Sequence, residues 1–297
     1  MSPQKIEGWF GAGQTISALL GGLVASLKFS GGAVVEIGVH HGASFIPIMQ
    51  SALTHKAYGP FVAIDVFEEQ SANLDRSGHG NRTMFQSHLD SRSLLDRVTI
   101  HSGSSLDLTP ARLLRLTNSR RVALFSVDGC HTFECTLSDL KLALATLHDD
   151  GIIVVDDYYN HIWPGVASAT NSFLEQHKRE VIGLAHGENK FYLSKVKAAN
   201  MHIDVLLTKR CNVSSPVYIG KLWGEYCHNQ EHTTQFHHST QGRLIVIHSK
   251  LPDNPYLPLQ SARERRMGQK GTESKGRVPK RCLYGTFLEP GESRRTP

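Results

Sequence analysis

Two short apolar runs, each ending in acid, constrain this chain more than any other feature. Phe125-Ser-Val-Asp-Gly-Cys-His131 and Ile152-Ile-Val-Val-Asp-Asp-Tyr158 are rich in Val, Ile and Phe and lack helical periodicity. Such runs read as strands buried on both faces of a parallel sheet. In open α/β sheets, ligands sit beyond the carboxyl ends of the strands. Asp128, Asp156 and Asp157 are therefore expected to converge on one crevice, with His131 a turn further on. Acids grouped in this way repel one another unless a cation or a positively charged ligand lies among them. The pattern marks a site rather than a core.

The chain leading to these runs alternates strand and helix. Glu7-Gly-Trp-Phe10 reads as an N-terminal arm packing on the domain, or alternatively as a lid over a ligand, and Gln14 to Lys28 reads as a helix weakened by Gly21 and Gly22. Ala33-Val-Val-Glu-Ile-Gly38 is a buried strand, followed by Val-His-His-Gly42 and a helix from Ala43 to about Leu53. A strand, a glycine turn and a helix N-terminus form the nucleotide-cofactor entry of a doubly wound fold. Glu36 is an acid inside an apolar strand, which is costly without a partner. The pattern E-x-G-x-x-x-G carries His40 where a dinucleotide fingerprint has its middle glycine. It suits an adenosyl cofactor without a pyrophosphate better than NAD.

Phe61-Val-Ala-Ile-Asp65 is the second strand, and its terminal acid suits a ribose diol or else caps a turn. Residues 68–80 form a long polar loop of the kind that carries function. A helix follows from Asn81 to Leu95, then a strand over Val98 to Gly103, and Ser105 and Asp107 at its end meet a base edge or cap a turn. After the strand Arg121 to Asp128, a helix spans Thr132 to Leu147 with Phe133, Leu137, Leu140, Leu144 and Leu147 as its core stripe. Gly151 to Asp157 is the next strand. Trp163-Pro-Gly-Val166 opens a helix to His177, and residues 180–185 and 190–195 pair as a hairpin.

The net charge of +5 invites a nucleic-acid reading, so its location matters. From Arg263 onward there are ten Lys or Arg against four Glu, which accounts for the whole excess. The basic character therefore belongs to a tail, and a nucleic-acid partner is not expected. Five cysteines, 130, 135, 211, 227 and 282, include no CxxC pair, and their odd number points to reduced thiols and a cytoplasmic setting. The apolar stretch Ile16 to Leu27 lacks a preceding basic cluster and reads as a core helix rather than a signal segment. No run reaches membrane-spanning length.

Taken in order, Val35-Glu-Ile-Gly-Val-His-His-Gly42, Asp65-Val-Phe-Glu-Glu69, Ser126-Val-Asp-Gly-Cys-His131, Gly151-Ile-Ile-Val-Val-Asp-Asp157 and Trp163-Pro-Gly-Val166 resemble class I S-adenosylmethionine (AdoMet)-dependent methyltransferases. The nearest group is the methyltransferase 24 type, related to metal-dependent sugar and catechol O-methyltransferases. The resemblance covers roughly residues 6–197. It implies an α/β, Rossmann-like doubly wound sheet of seven strands closed by a C-terminal antiparallel hairpin, with a poorly defined C-terminal extension.

Carried over by position, it implies that Glu36, Gly38 and His40 line the methionine half of AdoMet and that Ser44 receives the cofactor's carboxylate. Asp65 would hold the ribose and Ser105 would sit by the adenine. Asp128, Asp156 and Asp157 match divalent-metal positions, with Mg²⁺ the ion suited to hard oxygen ligands, and Asp128 also adjoins the cofactor and the reaction. His131 falls where relatives place a Lys or His general base, and Cys130 replaces the small glycine common there. The alternative for His131 is a helix-start residue bonded to backbone, and for the acid pair a cap without metal.

The expected boundaries are an N-terminal arm and helix over 1–30, the methyltransferase domain over 31–197, an extension over 198–251 and a disordered basic tail over 252–297. Ile203 to Leu207 and Arg243 to Ile247 look like strands. Cys211, Cys227, His228, His232, His237 and His238 fit no standard zinc spacing. The expected function is O-methylation of a small hydroxylated or sugar-containing acceptor. The alternatives are a non-catalytic AdoMet-fold module in a glycan or natural-product pathway and a nucleic-acid methyltransferase. Homo-oligomerisation is left open.

Overall fold

The computed structural model describes residues 6–8, 31–54, 56, 58–187 and 189–202, with short backbone strands between 217 and 247. The expected helix over 14–28, Trp9 and Phe10, the strand at 203–207, the basic tail and the side chains of the C-terminal Cys and His set lie outside the described residues.

Seven strands build the sheet expected from sequence: β1 (Ala33–Ile37), β2 (Phe61–Asp65), β3 (Val98–Ser102), β4 (Val122–Val127), β5 (Leu147–Val155), β6 (Val181–Gly187) and β7 (Lys190–Lys195). Their spatial order is β3-β2-β1-β4-β5-β7-β6. The first five run parallel, whereas β7 lies antiparallel to both β5 and β6. Sequence-adjacent β6 and β7 thus swap places, and the start of β7 is set beside the end of β5 through the pairing Val155 with Phe191. Beyond β6 the sheet continues: β9 (Gly242–Ile247) pairs parallel with β6, and β8 (Gln235–Ser239) pairs antiparallel with β9.

Five helices connect these strands: α1 (Phe45–Thr54), α2 (Arg82–Asp90), α3 (Pro110–Leu116), α4 (Phe133–Thr146) and α5 (Pro164–Gln176). Their starts follow local chemistry. The side chains of Asn81, Thr109 and Thr132 accept the backbone N–H groups of Met84, Arg112 and Cys135, which satisfies donors that a helix leaves open. Pro110 and Pro164 stand at the first helical turn, where a missing N–H costs nothing.

Three expectations shift. Helix α2 stops at Asp90 rather than Leu95, because Ser93 takes a left-handed conformation (φ 55°) and residues 95–97 form a 3₁₀ turn. Helix α3 was not anticipated at all. On α4 the buried face runs through Cys135, Thr136, Asp139, Leu140, Leu142, Ala143 and Thr146, while Leu137 and Leu144 only flank the core.

The sheet is covered on both faces. On one side Phe45, Phe67 and Phe85 pack as aromatic neighbours, with Phe45 meeting Phe85 edge-on at 5.9 Å between ring centroids. On the other, Phe125, Ile153, Leu140 and Phe173 are fully buried. All six residues of β4 are buried, five of them apolar and the sixth, Ser126, bonded to Glu36. Gly38 (φ 85°) ends β1 against the next strand's exit, and a Cβ there would lie 1.6 Å from the Asp128 carbonyl oxygen. Among the described residues no helix is long and apolar enough to cross a membrane.

Phe125→Ala should expose how far the central strand anchors the fold. Removing a fully buried ring at the sheet's midpoint costs about 3–5 kcal/mol. Calorimetric Tm should fall by roughly 6–20 °C for a domain of this size. A fall below 2 °C would show that β4 is not the centre of the core.

Candidate active site

The carboxyl ends of β1, β2, β4 and β5 open onto a cavity of about 1100 Å³. Gly38, His40, Ser44, Asp65 and Ser105 line one end of it, and Asp128, His131, Asp156, Asp157 and Trp163 line the other. The acids expected to converge therefore do so.

At the first end, Glu36 lies just below the wall and is 1% exposed. Ser44 Oγ (2.6 Å) and Ser126 Oγ (3.2 Å) both donate to its Oε1, while its Oε2 has no hydrogen-bond partner. Burial pushes the Glu36 carboxyl up to about 7, against the pull of Ser44 and Lys190. The Ser44 hydroxyl is thus committed to Glu36, although Ser44 still faces the cavity. His40 takes a left-handed conformation (φ 50°) that aims its N–H at Asp65 Oδ2, 2.7 Å away. Its ring packs tilted against His41 and is pushed down to about 4 by burial, so it is neutral at pH 7.

Asp65 Oδ1 accepts the Phe67 N–H at 2.6 Å. This carboxylate ties the β1 turn to the end of β2, and each oxygen keeps a lone pair for a ligand hydroxyl. Ser105 begins a 3₁₀ turn at the cavity edge. Near it lies Asp139 of α4, 1% exposed, which sequence reasoning missed. Burial pushes its carboxyl up to about 7, with the Ser105 hydroxyl opposing, and neither oxygen has a hydrogen bond of good geometry.

At the second end His131 is held on three sides. Its Nδ1 meets Asp75 Oδ2 at 2.6 Å, its Nε2 meets Asp157 Oδ2 at 2.9 Å, and its ring stacks on Trp163 at 4.5 Å between centroids. Asp75 Oδ2 also accepts the His131 N–H at 2.7 Å, and its Oδ1 accepts Ser77 N–H and Oγ at 2.9 and 2.7 Å. Burial alone would push the His131 imidazole down, but hydrogen bonds to Asp157 and Asp75 outweigh it and hold the ring above its ordinary value.

Asp157, in a left-handed conformation (φ 56°), directs Oδ1 at the amide groups of Asn160 and Asn189. Burial opposes its ionisation, yet the bonds from His131 and Asn160 hold its carboxyl below the usual range. Asp156 accepts the Asp157 N–H on Oδ1 (2.9 Å) and pairs through Oδ2 with the Lys190 ammonium. Asp128 is held well above the usual carboxylate range, by burial first and then by the Asp156 charge.

Asp128, His131 and Asp157 place ligand atoms within 4.8 Å of one another, a grouping able to hold a metal ion. The two carboxylates offer the hard oxygens that Mg²⁺ takes, whereas the imidazole is a donor that transition metals prefer. Asp156, expected as the third oxygen ligand, faces Lys190 instead. The unpartnered Glu36 Oε2 leaves a buried acid behind the cavity wall that can act on a ligand only through its charge. Besides Asp139, sequence reasoning missed Asp75, Ser77, Asn189 and Lys190. Only Asp75 carried a local signal, the Asp-x-Ser spacing of an Asx turn, which Ser77 completes.

One cysteine expectation is corrected. Cys130 and Cys135 are joined by a disulfide across the turn between β4 and α4, with Cα atoms 5.7 Å apart. The turn capped by Thr132 folds the chain back and brings residues without CxxC spacing within bonding reach. The other three cysteines lie outside the described residues.

Glu36→Gln should change both stability and binding. The Glu36 value rises from 4.5 unfolded to about 7 folded, so its contribution is full below about pH 4.5 and is lost as pH rises through about 7. The cost of ionising it reaches about 3 kcal/mol. The variant should therefore melt higher than the parent at pH 8 without ligand and match it at pH 4.5. It should bind AdoMet roughly tenfold more weakly, the worth of about one pKa unit of charge attraction. Equal melting at pH 8 would show that Glu36 is ionised there without cost.

A family model described as "Methyltransferase domain" matches residues 35–158. No curated protein sequence matches the chain. Among solved structures, the chain is similar to CalS11, described as a TDP-rhamnose 3'-O-methyltransferase of calicheamicin biosynthesis (20% identity, 61% of this chain and 79% of that one, TM-score 0.45). It is also similar to the O-methyltransferase TomG from Streptomyces achromogenes (19% identity, 60% and 78% coverage, TM-score 0.43). An O-methyltransferase from Bacillus cereus shows 16% identity over 61% of this chain and 80% of that one, with a TM-score of 0.45. The matched segment runs from β1 to the acids after β5, and over that stretch the chain is similar to the methyltransferase domain the family model describes.

Proposed function

We propose that residues 31–197 catalyse methyl transfer from AdoMet to a hydroxyl of a small hydroxylated or sugar-containing acceptor. The observation that carries this reading is the Asp75–His131–Asp157 line opening into the same cavity as Gly38, Asp65 and Ser105. AdoMet, when bound, supplies an electrophilic methyl group on a sulfonium. Glu36 and Asp65 bind and orient its ends, while Ser105 meets the adenine. Trp163 offers an apolar face beside His131 against which an acceptor ring can lie.

The transfer forms an acceptor O–C bond, breaks the S–C bond and releases one proton. His131 Nε2 is the atom placed to take that proton, after its own proton has passed by way of Asp157 to solvent and its bond to that carboxylate is released. Asp75 fixes the Nδ1–H tautomer and stabilises the imidazolium that results. Asp128 and Asp157 would hold Mg²⁺, which would lower the acceptor hydroxyl's pKa and position it. Holding both reactants in line supplies much of the rate. A cytoplasmic location belongs to the same reading.

Calorimetric titration with AdoMet, followed by release of S-adenosylhomocysteine across a panel of phenolic and glycosidic hydroxyl acceptors, tests the proposal. Binding is expected, together with turnover of at least one acceptor. His131→Ala should leave AdoMet affinity unchanged and lower kcat on the order of 10²–10⁴-fold. Absence of AdoMet binding would defeat the reading, and an unchanged kcat in His131→Ala would remove only the base.

A further inference from the structure

The cavity gathers Asp128, Asp156 and Asp157, with Glu36 just beneath them. One ammonium lies among these acids. Lys190, the first residue of β7, is 5% exposed. Because β7 inserts between β5 and β6, Lys190 stands beside the end of β5 and pairs with Asp156 Oδ2. Asp128 and Glu36 are the other charges that act on it. A lysine this buried is rare unless it is paired.

The oxygens of the acid pair are already supplied with donors. Asp156 Oδ1 takes the Asp157 N–H, and Asp157 takes Asn160, Asn189 and His131. A third carboxylate ligand for a divalent ion would require the Lys190 pair to be broken.

We propose that Lys190 is the resident counter-cation of this cluster, so that the order of the β5 end and the binding of the methyl donor do not depend on a divalent ion. Asp156 then belongs to an internal salt bridge, and any divalent ion is confined to Asp128 and Asp157. The clause on donor binding rests on the function proposed above, whereas the clause on order does not.

Melting and AdoMet titration of the full chain in EDTA and in millimolar Mg²⁺ test this. The parent should melt at the same temperature in both and should bind AdoMet with a Kd that changes less than about threefold. Lys190→Met should melt roughly 6–20 °C lower in EDTA, as expected when one partner of a buried pair is removed. It should recover part of that loss in Mg²⁺. Asp156→Asn, which removes the other partner's charge, should lower Tm equally in EDTA and Mg²⁺.

A parent whose Tm or AdoMet Kd depends strongly on Mg²⁺ would overturn the proposal. So would an Asp156→Asn variant whose loss appears only in Mg²⁺, the signature of a lost metal ligand. If Lys190→Met does not fold, the parent and Asp156→Asn arms still decide. Failure to bind AdoMet in either condition would defeat the proposed function and leave the melting comparison to judge Lys190.

Discussion

Negative charge buried at the ends of β4 and β5 sets the terms for everything around it. A carboxylate removed from water must gain hydrogen bonds or an opposite charge, or it takes up a proton. Here the responses differ from residue to residue. Asp128 is held well above the usual range, Asp157 is held ionised by His131 and two asparagines, and Asp156 gains Lys190. Each response recruits a different segment: the loop over 68–80 through Asp75, the turn before α5 through Asn160, and the hairpin through Asn189 and Lys190. Elements distant in sequence are ordered about the site because the acids need them.

The parts of this arrangement legible in sequence were those written in local pattern. The apolar runs Val122–Phe125 and Ile152–Val155 announced strands buried on both faces, and the acids that follow them line the cavity. Glu36 stood out because an acid in an apolar strand demands a partner, and Ser44 and Ser126 are those partners. The polar loop over 68–80 stood out in sequence by its length. That it would bring Asp75 to His131 was not legible, because that contact spans 56 positions and exists only once the sheet has formed.

Other misses have equally physical causes. Lys190 looked like an ordinary start of a strand; its burial follows from β7 inserting between β5 and β6, which no local pattern encodes. The stripe read on α4 found Leu140 and Leu147, which are buried, but took Phe133, Leu137 and Leu144 for the rest, whereas the buried face adds Leu142, the small Cys135, Thr136, Ala143 and Thr146, and Asp139. Close packing favours shape over hydrophobic size, so a stripe of leucines can be displaced towards the edge. Helix α3 did carry a signal, Thr109 followed by Pro110, but a helix of seven residues offers too few periods to recognise. The pairing of Cys130 with Cys135 could not be inferred from an odd cysteine count, since the constraint lies in the capped turn between them.

The two carboxylates flanking His131 are not equivalent, and this asymmetry gives the proposed reaction its direction. Asp75 is the more enclosed, with its side chain 5% exposed against 17% for Asp157. It also accepts two donors from Ser77 and the backbone N–H of His131, so its carboxylate is fixed in place independently of the imidazole. Asp157 keeps Asn160 and Asn189 on its other oxygen when its bond to Nε2 is broken. In the proposed reaction an acceptor hydroxyl at His131 would exchange with the more exposed Asp157 rather than with Asp75, so that Nδ1 would stay anchored and Nε2 would be the nitrogen that changes partners.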